Sequence, residues 1–206
     1  MTMSCKSETR DRILEAAMVR IKHYGYAKTT MSEIAKDCGM SAGNIYRFFA
    51  SKLDIAEAMA RQFDLELSQT LAQLARADKP AAERLRDHFV FYLEHTFDKL
   101  DSDAKILEVA EVLSRERPEF ANEELARERI YIVQTLEDGV RAGEFAPIPD
   151  PSYTAEMIQS AMMKFRFPQL FSRLGLPELR RELDGVYGLI SAGLKQGVTA
   201  ELVNAE

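Results

Sequence analysis

Apolar residues recur at helical spacing along most of this chain, and no run alternates apolar and polar between turn residues as a strand would. Ile13, Leu14, Ala17, Met18 and Ile21 form one stripe, predicting a helix over residues 10–24 that Gly25 ends. A second helix starts at Met31 and turns Ile34, Ala35 and Cys38 inward. A third starts at Ala42, with Ile45, Phe48 and Phe49 at i, i+3 and i+4. From residue 53 to 75 the pattern is unbroken through Ile55, Met59, Phe63, Leu67 and Leu71, so one long helix joins the first quarter to the rest. Asp78 and Pro80 stop it and restart the chain. Helices then follow over residues 80–100, rich in Phe89, Phe91, Tyr92 and Phe97, over 103–115, and over 118–142, ended by Gly143. Pro147, Pro149 and Pro151 make a stiff connector before helices over 153–167 and 177–196. The fold class is all-α.

The helix ends between residues 29 and 52 carry specific chemistry. Thr30 and Glu33 have the spacing of a capping box. Gly39 stands where a helix needs a left-handed residue just past its end. Ser41 can cap the third helix, and Ser51 the next, with Asp54 at its N3 position. Two short helices joined by a tight turn make a helix-turn-helix. Lys52 lies in the first turn of its helix, against the macrodipole. A nearby phosphate would resolve that conflict.

From Thr9 to about Ala58 the chain resembles the DNA-binding domain of the tetracycline-repressor (TetR) family. The likeness lies in Ile13-Leu14-Glu15-Ala16-Ala17, Gly25-Tyr26, Thr29-Thr30, Ile34-Ala35, Gly39-Met40-Ser41, Gly43-Asn44-Ile45-Tyr46, and Phe49 followed by Ser51-Lys52. Beyond this segment the resemblance is one of layout. It implies a three-helix DNA-binding domain over residues 1–52 and a helical ligand-binding and dimerisation domain over 53–206. It further implies a homodimeric repressor that binds a palindromic double-stranded operator and is released by a small-molecule effector. Thr30, Tyr46 and Lys52 would then hold phosphates, and Gly43 would let the backbone approach DNA closely. Ser41, Asn44 and Arg47 would meet base edges or neighbouring phosphates. Ala42 and Phe48 stand where relatives often carry polar or basic contact residues, a departure that bears on specificity.

The family dimerises through its last two helices as a four-helix bundle. Met157, Ala161, Leu183, Val186, Tyr187, Ile190 and Leu194 are the interface candidates here. Gly185, Gly188, Ser191, Ala192 and Gly193 would let a second helix pack closely. The effector site would draw on polar or soft residues of otherwise apolar helices: His88, Tyr92, His95, Tyr131, Gln134, Thr135, Met162, Met163 and Arg166. A partly buried Arg166 needs an anion, which an acidic ligand or a carboxylate on a neighbouring helix would supply.

Composition supports this division. The chain has 206 residues, 46% of them hydrophobic, enough for a small head and a core-bearing body. Its net charge of −6 divides into +2 over residues 1–60 and −8 over the remainder. A DNA-facing head on an acidic body has this asymmetry, and the acidic body limits non-specific binding to phosphates. Two cysteines, Cys5 and Cys38, make no disulfide framework; Cys5 is expected in an N-terminal tail and Cys38 packed beside Gly39. No apolar run reaches membrane-spanning length and the start lacks a secretion signal, so the protein is expected in the cytoplasm with no membrane partner.

Other chemistry finds little support. His88, Tyr92 and His95 share a helix face, but a spacing of seven is too long for one metal site, and no metal or cofactor is expected. Ser102-x-x-Lys105 matches a short nucleophile motif at a helix start, yet there is no Gly-rich phosphate loop, HExxH or nucleophile elbow. The chain is not expected to be an enzyme. Two alternatives to the ligand-responsive repressor remain: a DNA-binding protein of the same build without an effector, and an all-α enzyme with a vestigial head. A pocket filled by the chain's own side chains would favour the first of these.

Overall fold

The computed structural model describes residues 2–101, 104–168 and 172–197. Among the described residues there are ten helices and no strand. They are α1 (Thr2–Tyr24), α2 (Met31–Asp37), α3 (Ala42–Ile45), α4 (Lys52–Ala75), α5 (Ala81–Asp101), α6 (Ala104–Glu116), α7 (Pro118–Arg141), α8 (Pro151–Ala161), α9 (Met163–Arg166) and α10 (Leu176–Gln196).

The helices gather into two compact units. The first comprises Met1–Glu66 and Ser102–Glu123, and the second Leu67–Asp101 and Glu124–Glu206. The helices α4 and α7 each run from one unit into the other. The boundary read from the sequence at residue 52 marks the start of α4. The contacts instead give the head the first part of α4, all of α6 and the start of α7.

Two elements differ from their sequence expectation. Helix α1 begins at Thr2 rather than residue 10, so the backbone of Cys5 is helical rather than part of a tail. No Gly or Pro interrupts residues 2–24, and nothing stops the helix propagating toward the N-terminus. The helix expected over 153–167 divides at Met162, whose backbone lies at φ −92 and ψ 2. No Gly or Pro marks this break. Tertiary bonds on both sides of it are responsible: Gln159 Nε2 donates to Leu125 O at 3.1 Å, and Arg166 pairs with Glu128.

In the first unit, Ile13, Ile21, Ile34, Ile45 and Ile55 are fully buried. Each contributes roughly 1.5–3 kcal/mol through the removal of its side chain from water. Phe49, Met59, Val109, Leu113 and Phe120 complete this core. Helix α6 is tied to α1 and to the loop after it: Glu108 Oε2 accepts from Ala27 N at 3.3 Å, and Lys105 Nζ donates to His23 O. Arg117, at the start of α7, pairs with Asp54 and Glu57 of α4.

In the second unit, Leu85, Leu93, Ile132, Leu136, Leu179 and Leu183 are buried, with Phe89, Phe145, Ile158, Met162 and Phe165 around them. The Glu144 carboxylate accepts from Ala81 N at 2.9 Å and Ala82 N at 3.2 Å, satisfying the free amides at the start of α5. Helix α10 is held on α5 by Arg86–Asp184 at 2.6 Å and by the Tyr187 hydroxyl, which donates to Ala82 O. Burial of that hydroxyl pushes its pKa up to about 12.

This packing revises the interface candidates. Leu183, Tyr187 and Leu194 are core residues of the second unit, at 0%, 7% and 2% exposure, because they face α5. Val186 and Ile190 are half-buried against the same core. Met157 and Ala161 are exposed on α8, in line with exposed Tyr153. On α10 the exposed side is Gly185, Gly188, Leu189, Ala192 and Gly193, and Leu189 is 78% exposed.

Candidate DNA-binding face and effector site

The head presents a small polar face on a locked base. Thr30 caps α2 and Glu33 returns the bond, as the capping-box spacing predicts. Gly39 takes φ +67, and Met40 N donates back to Ala35 O at 2.9 Å, which closes α2 with a left-handed turn. Ser41 Oγ accepts from Asn44 N at 3.3 Å and starts α3. That helix is one turn long, and tight turns continue it to Phe48. Ile45 and Phe49 bury beneath it at 0% and 3% exposure. Their anchoring leaves Ser41, Gly43, Tyr46 and Arg47 exposed and Asn44 half-exposed. Among the described residues, no atom outside its chain neighbours and its own helix backbone lies within 4 Å of where a Cβ on Gly43 would stand, so its close-approach role is geometrically open.

Two of the candidate phosphate holders are engaged within the chain. The Thr30 hydroxyl and amide both donate to Glu33 Oε2, at 2.7 and 2.9 Å, and Arg20 pins the other oxygen of that carboxylate at 3.0 Å. These hydrogen bonds from Thr30, joined by Arg20, hold the Glu33 carboxyl below its usual range. Lys52 Nζ donates to Tyr26 O and Thr29 O, both at 2.7 Å, and lies 4.1 Å from the centre of the Tyr26 ring. Burial lowers its pKa, against the opposing pull of Glu108 and Glu33. Lys52 therefore ties the α1–α2 loop to the start of α4, which answers the conflict with the macrodipole from within the chain. An ammonium carries three N–H groups, so two internal bonds do not exhaust it. Lys52→Ala is expected to lower stability by about 1–3 kcal/mol through the orphaned carbonyls. It is also expected to weaken binding to all DNA sequences and to flatten the salt slope by about one. Denaturant melts beside binding titrations at several salt concentrations separate the two effects. An unchanged slope would remove Lys52 from the phosphate contacts.

Cys38 is 9% exposed, with Sγ 3.6 Å from Arg12 O, and burial pushes its thiol pKa up. It is a packed residue of the head rather than an activated thiol.

In the second unit, a small cavity of about 10 Å³ lies among Phe89, Tyr92, Glu128, Gln159, Met162, Met163, Phe165 and Arg166. That is room for about one water. Of the effector-site candidates, Tyr92, Met162, Met163 and Arg166 line it, and His88 reaches it through Glu128. His95, Tyr131, Gln134 and Thr135 do not. His95 stacks against Phe91 at 5.4 Å, and Thr135 Oγ1 donates to Tyr131 O at 2.9 Å, within its own helix.

Glu128 organises the cavity. It is 7% exposed; Oε1 lies 2.9 Å from His88 Nε2, and Oε2 accepts from Arg166 Nη1. The Arg166 guanidinium also lies 4.4 Å from the Tyr92 ring centre. Burial opposes ionisation of Glu128, but the Arg166 charge and the His88 hydrogen bond outweigh it and bring the carboxyl down to about 2. The anion required by Arg166 is thus a carboxylate on a neighbouring helix. Sequence reasoning passed over Glu128 and Gln159. Both sit on apolar faces, Glu128 between Leu125 and Ile132 and Gln159 between Ala155 and Met162, and a polar residue at such a position is the available signal. Among the described residues no group of three metal-ligating side chains occurs, and Ser102 lies outside the described residues. No helix among them is long and apolar enough to cross a membrane.

Comparison with known proteins agrees with this architecture. Residues 13–59 match the model of bacterial regulatory proteins of the tetR family, and residues 81–187 match that of the tetracyclin repressor-like C-terminal domain. The helix-turn-helix-type transcriptional regulator YhgD of Bacillus subtilis is 26% identical over 197 residues, covering 91% of this chain and 95% of that one. Among solved structures, a TetR-family transcriptional regulator from Pectobacterium atrosepticum aligns with a TM-score of 0.74 at 20% identity, over 97% of this chain and all of the other. The regulator FadR of Bacillus subtilis, in complex with stearoyl-CoA, aligns with a TM-score of 0.66 at 22% identity, over 88% of this chain and 97% of that one. Matched by family models in both its head and its body, the chain belongs to the TetR family of transcriptional regulators.

Proposed function

We propose that this regulator is a homodimeric repressor that holds a palindromic operator through its two heads and lets go when a small molecule enters the second unit. The exposed polar face of α3, anchored from below by Ile45 and Phe49, is the observation that carries the DNA-binding part. Tyr46 and Arg47 supply donors to phosphates and base edges, Gly43 allows close approach, and Thr30 and Lys52 flank them. The FadR likeness supports a small molecule in this fold, since that structure holds stearoyl-CoA. Sequencing the genomic DNA that the purified chain retains at moderate salt tests the reading. A single inverted repeat is the expected result, and no enrichment from effector-free protein would overturn it.

A second reading, the same regulator without an effector, has the near-filled cavity behind it. Under the first reading, ligand entry requires side chains of the second unit to move. Denaturing the purified protein and weighing any released compound distinguishes the two.

The dimer is assigned to the exposed side of α8 and α10: Tyr153, Met157, Ala161, Gly185, Gly188 and Leu189. Among the described residues, nothing outside their own helix backbone and chain neighbours lies within 4 Å of a Cβ placed on Gly185, Gly188 or Gly193. Leu189→Asp is expected to leave monomer stability within about 0.5 kcal/mol and to weaken dimerisation by at least about tenfold. Sedimentation measures the dimer. An unchanged association constant would move the interface elsewhere.

A further inference from the structure

The cavity in the second unit holds a buried ion pair, Glu128 with Arg166. Its acid and its base differ in how firmly they are mounted. Glu128 projects from the middle of the 24-residue α7 and also contacts His88. Arg166 is the last residue of the four-residue α9, which lacks a side-chain cap, follows the break at Met162 and ends at Phe167 with φ −135 and ψ 67. If one member leaves, it is Arg166. What it leaves behind is a buried carboxylate beside the face of Tyr92, walled by Phe89, Met162 and Phe165.

We propose that this is a seat for a planar organic cation, an amidinium, guanidinium or protonated N-heterocycle, and that Arg166 occupies it as the chain's own stand-in. The guanidinium already shows what the seat accepts: a flat cation bonded to Glu128 and lying 4.4 Å from the Tyr92 ring centre. Planar delocalised cations desolvate more readily than ammonium ions and stack on aromatic faces. An anionic ligand would have to settle against a buried carboxylate that α7 cannot withdraw, an uncompensated charge pair. A neutral ligand would free Arg166 and leave Glu128 with the His88 contact but without the guanidinium charge. Only a cation replaces what it removes. With room for about one water, the cavity admits the ligand's apolar body only as the Arg166 side chain vacates it. The inference rests on reading the second unit as the effector-sensing half.

The test uses the full chain and three flat probes of one shape and different charge: benzamidine, benzamide and benzoate. Calorimetric titration is expected to detect benzamidine alone. Arg166→Met empties the seat without changing the apolar walls, and benzamidine should bind this variant about tenfold or more tighter than the natural chain. Glu128→Gln should abolish its binding. Circular dichroism checks each variant. If Arg166→Met does not fold, Arg166→Gln, which keeps a hydrogen bond to Glu128, replaces it. Benzoate binding as well as benzamidine would overturn the proposal, as would benzamidine binding neither chain or binding the Arg166 variant no more tightly. DNA retention by the same preparations, before any probe is added, is scored separately. Retained DNA without benzamidine binding refutes the cation seat alone, and benzamidine binding without retained DNA refutes the regulator reading alone.

Discussion

Replacing Glu128 with alanine is expected to lower the unfolding free energy by about 3–5 kcal/mol, a large share of the stability of a chain this size. The loss comes less from the bonds broken than from what remains. The Arg166 side chain, 13% exposed, would keep its charge without the Glu128 carboxylate, and His88 would lose its bond to Glu128 at 4% exposure. Removing the pair together should cost much less: Glu128→Leu with Arg166→Met leaves no buried charge, and such replacements are often close to neutral. Strong non-additivity in urea melts of the two single variants and the double is therefore the expected signature. Additive losses would mean that the two side chains do not act as a unit. The same carboxylate sets an acid limit. Its folded pKa of about 2 lies below the ordinary value of 4.5, so its stabilisation is fully present above pH 4.5 and is lost as the pH falls toward 2. At about 1.4 kcal/mol per unit the loss is of the order of 3 kcal/mol. Glu128→Gln should flatten stability against pH across that window, and a variant as acid-sensitive as the natural chain would assign the acid limit to other carboxylates.

The second large effect is expected at Gly139, where substitution should act against the usual trend. In a helix interior, alanine is about 1 kcal/mol more favourable than glycine. Gly139 lies inside α7, yet a Cβ there would overlap the ring edge of Phe145 and stand 3.0 Å from the Ala81 Cβ. Phe145 is 4% exposed and cannot swing into solvent without opening the core. Its backbone is held as well, since Phe145 N donates to Gly139 O at 3.2 Å and the next residue, Ala146, to Leu194 O at 2.9 Å. Gly139→Ala is expected to destabilise by about 1–3 kcal/mol or more, as overpacked cores do. Gly188→Ala, where the added methyl meets open space, should stabilise the isolated monomer by up to about 1 kcal/mol. Equal and favourable effects at both positions would show that Phe145 yields freely.

The fold was legible where local chemistry and hydrophobic period agree. Thr30, Glu33, Gly39 and Ser41 set the ends of α2 and α3 by short-range hydrogen bonds, and each stands where its spacing places it. The head's core stripe, Ile13 to Ile45, follows from the same periodicity. The break at Met162 was not legible, because contacts to α7 impose it rather than any residue at the break. Leu183, Tyr187 and Leu194 share the apolar character of interface residues, and only the position of α5 shows that they serve the core. Arg166 announced a need for an anion, but its partner lies 38 residues away on another helix. No pattern within one helix can specify such a pairing.

The capping box of α2 has a consequence for how the regulator moves through a genome. The Thr30 donors are already spent on Glu33, and Lys52 leans inward on two carbonyls. Tyr46 and Arg47 carry exposed donors on the head, while the Thr30 donors and two of the three Lys52 N–H groups are turned to the chain itself. On the proposed reading, a phosphate that reaches Thr30 must first compete with a bond the chain makes to itself, so a random stretch of duplex repays little of that exchange. If α3 is the reading element as proposed, brief stays on wrong sequences and rapid onward search are expected, with lingering reserved for sites where Arg47 and its neighbours also find bases to read.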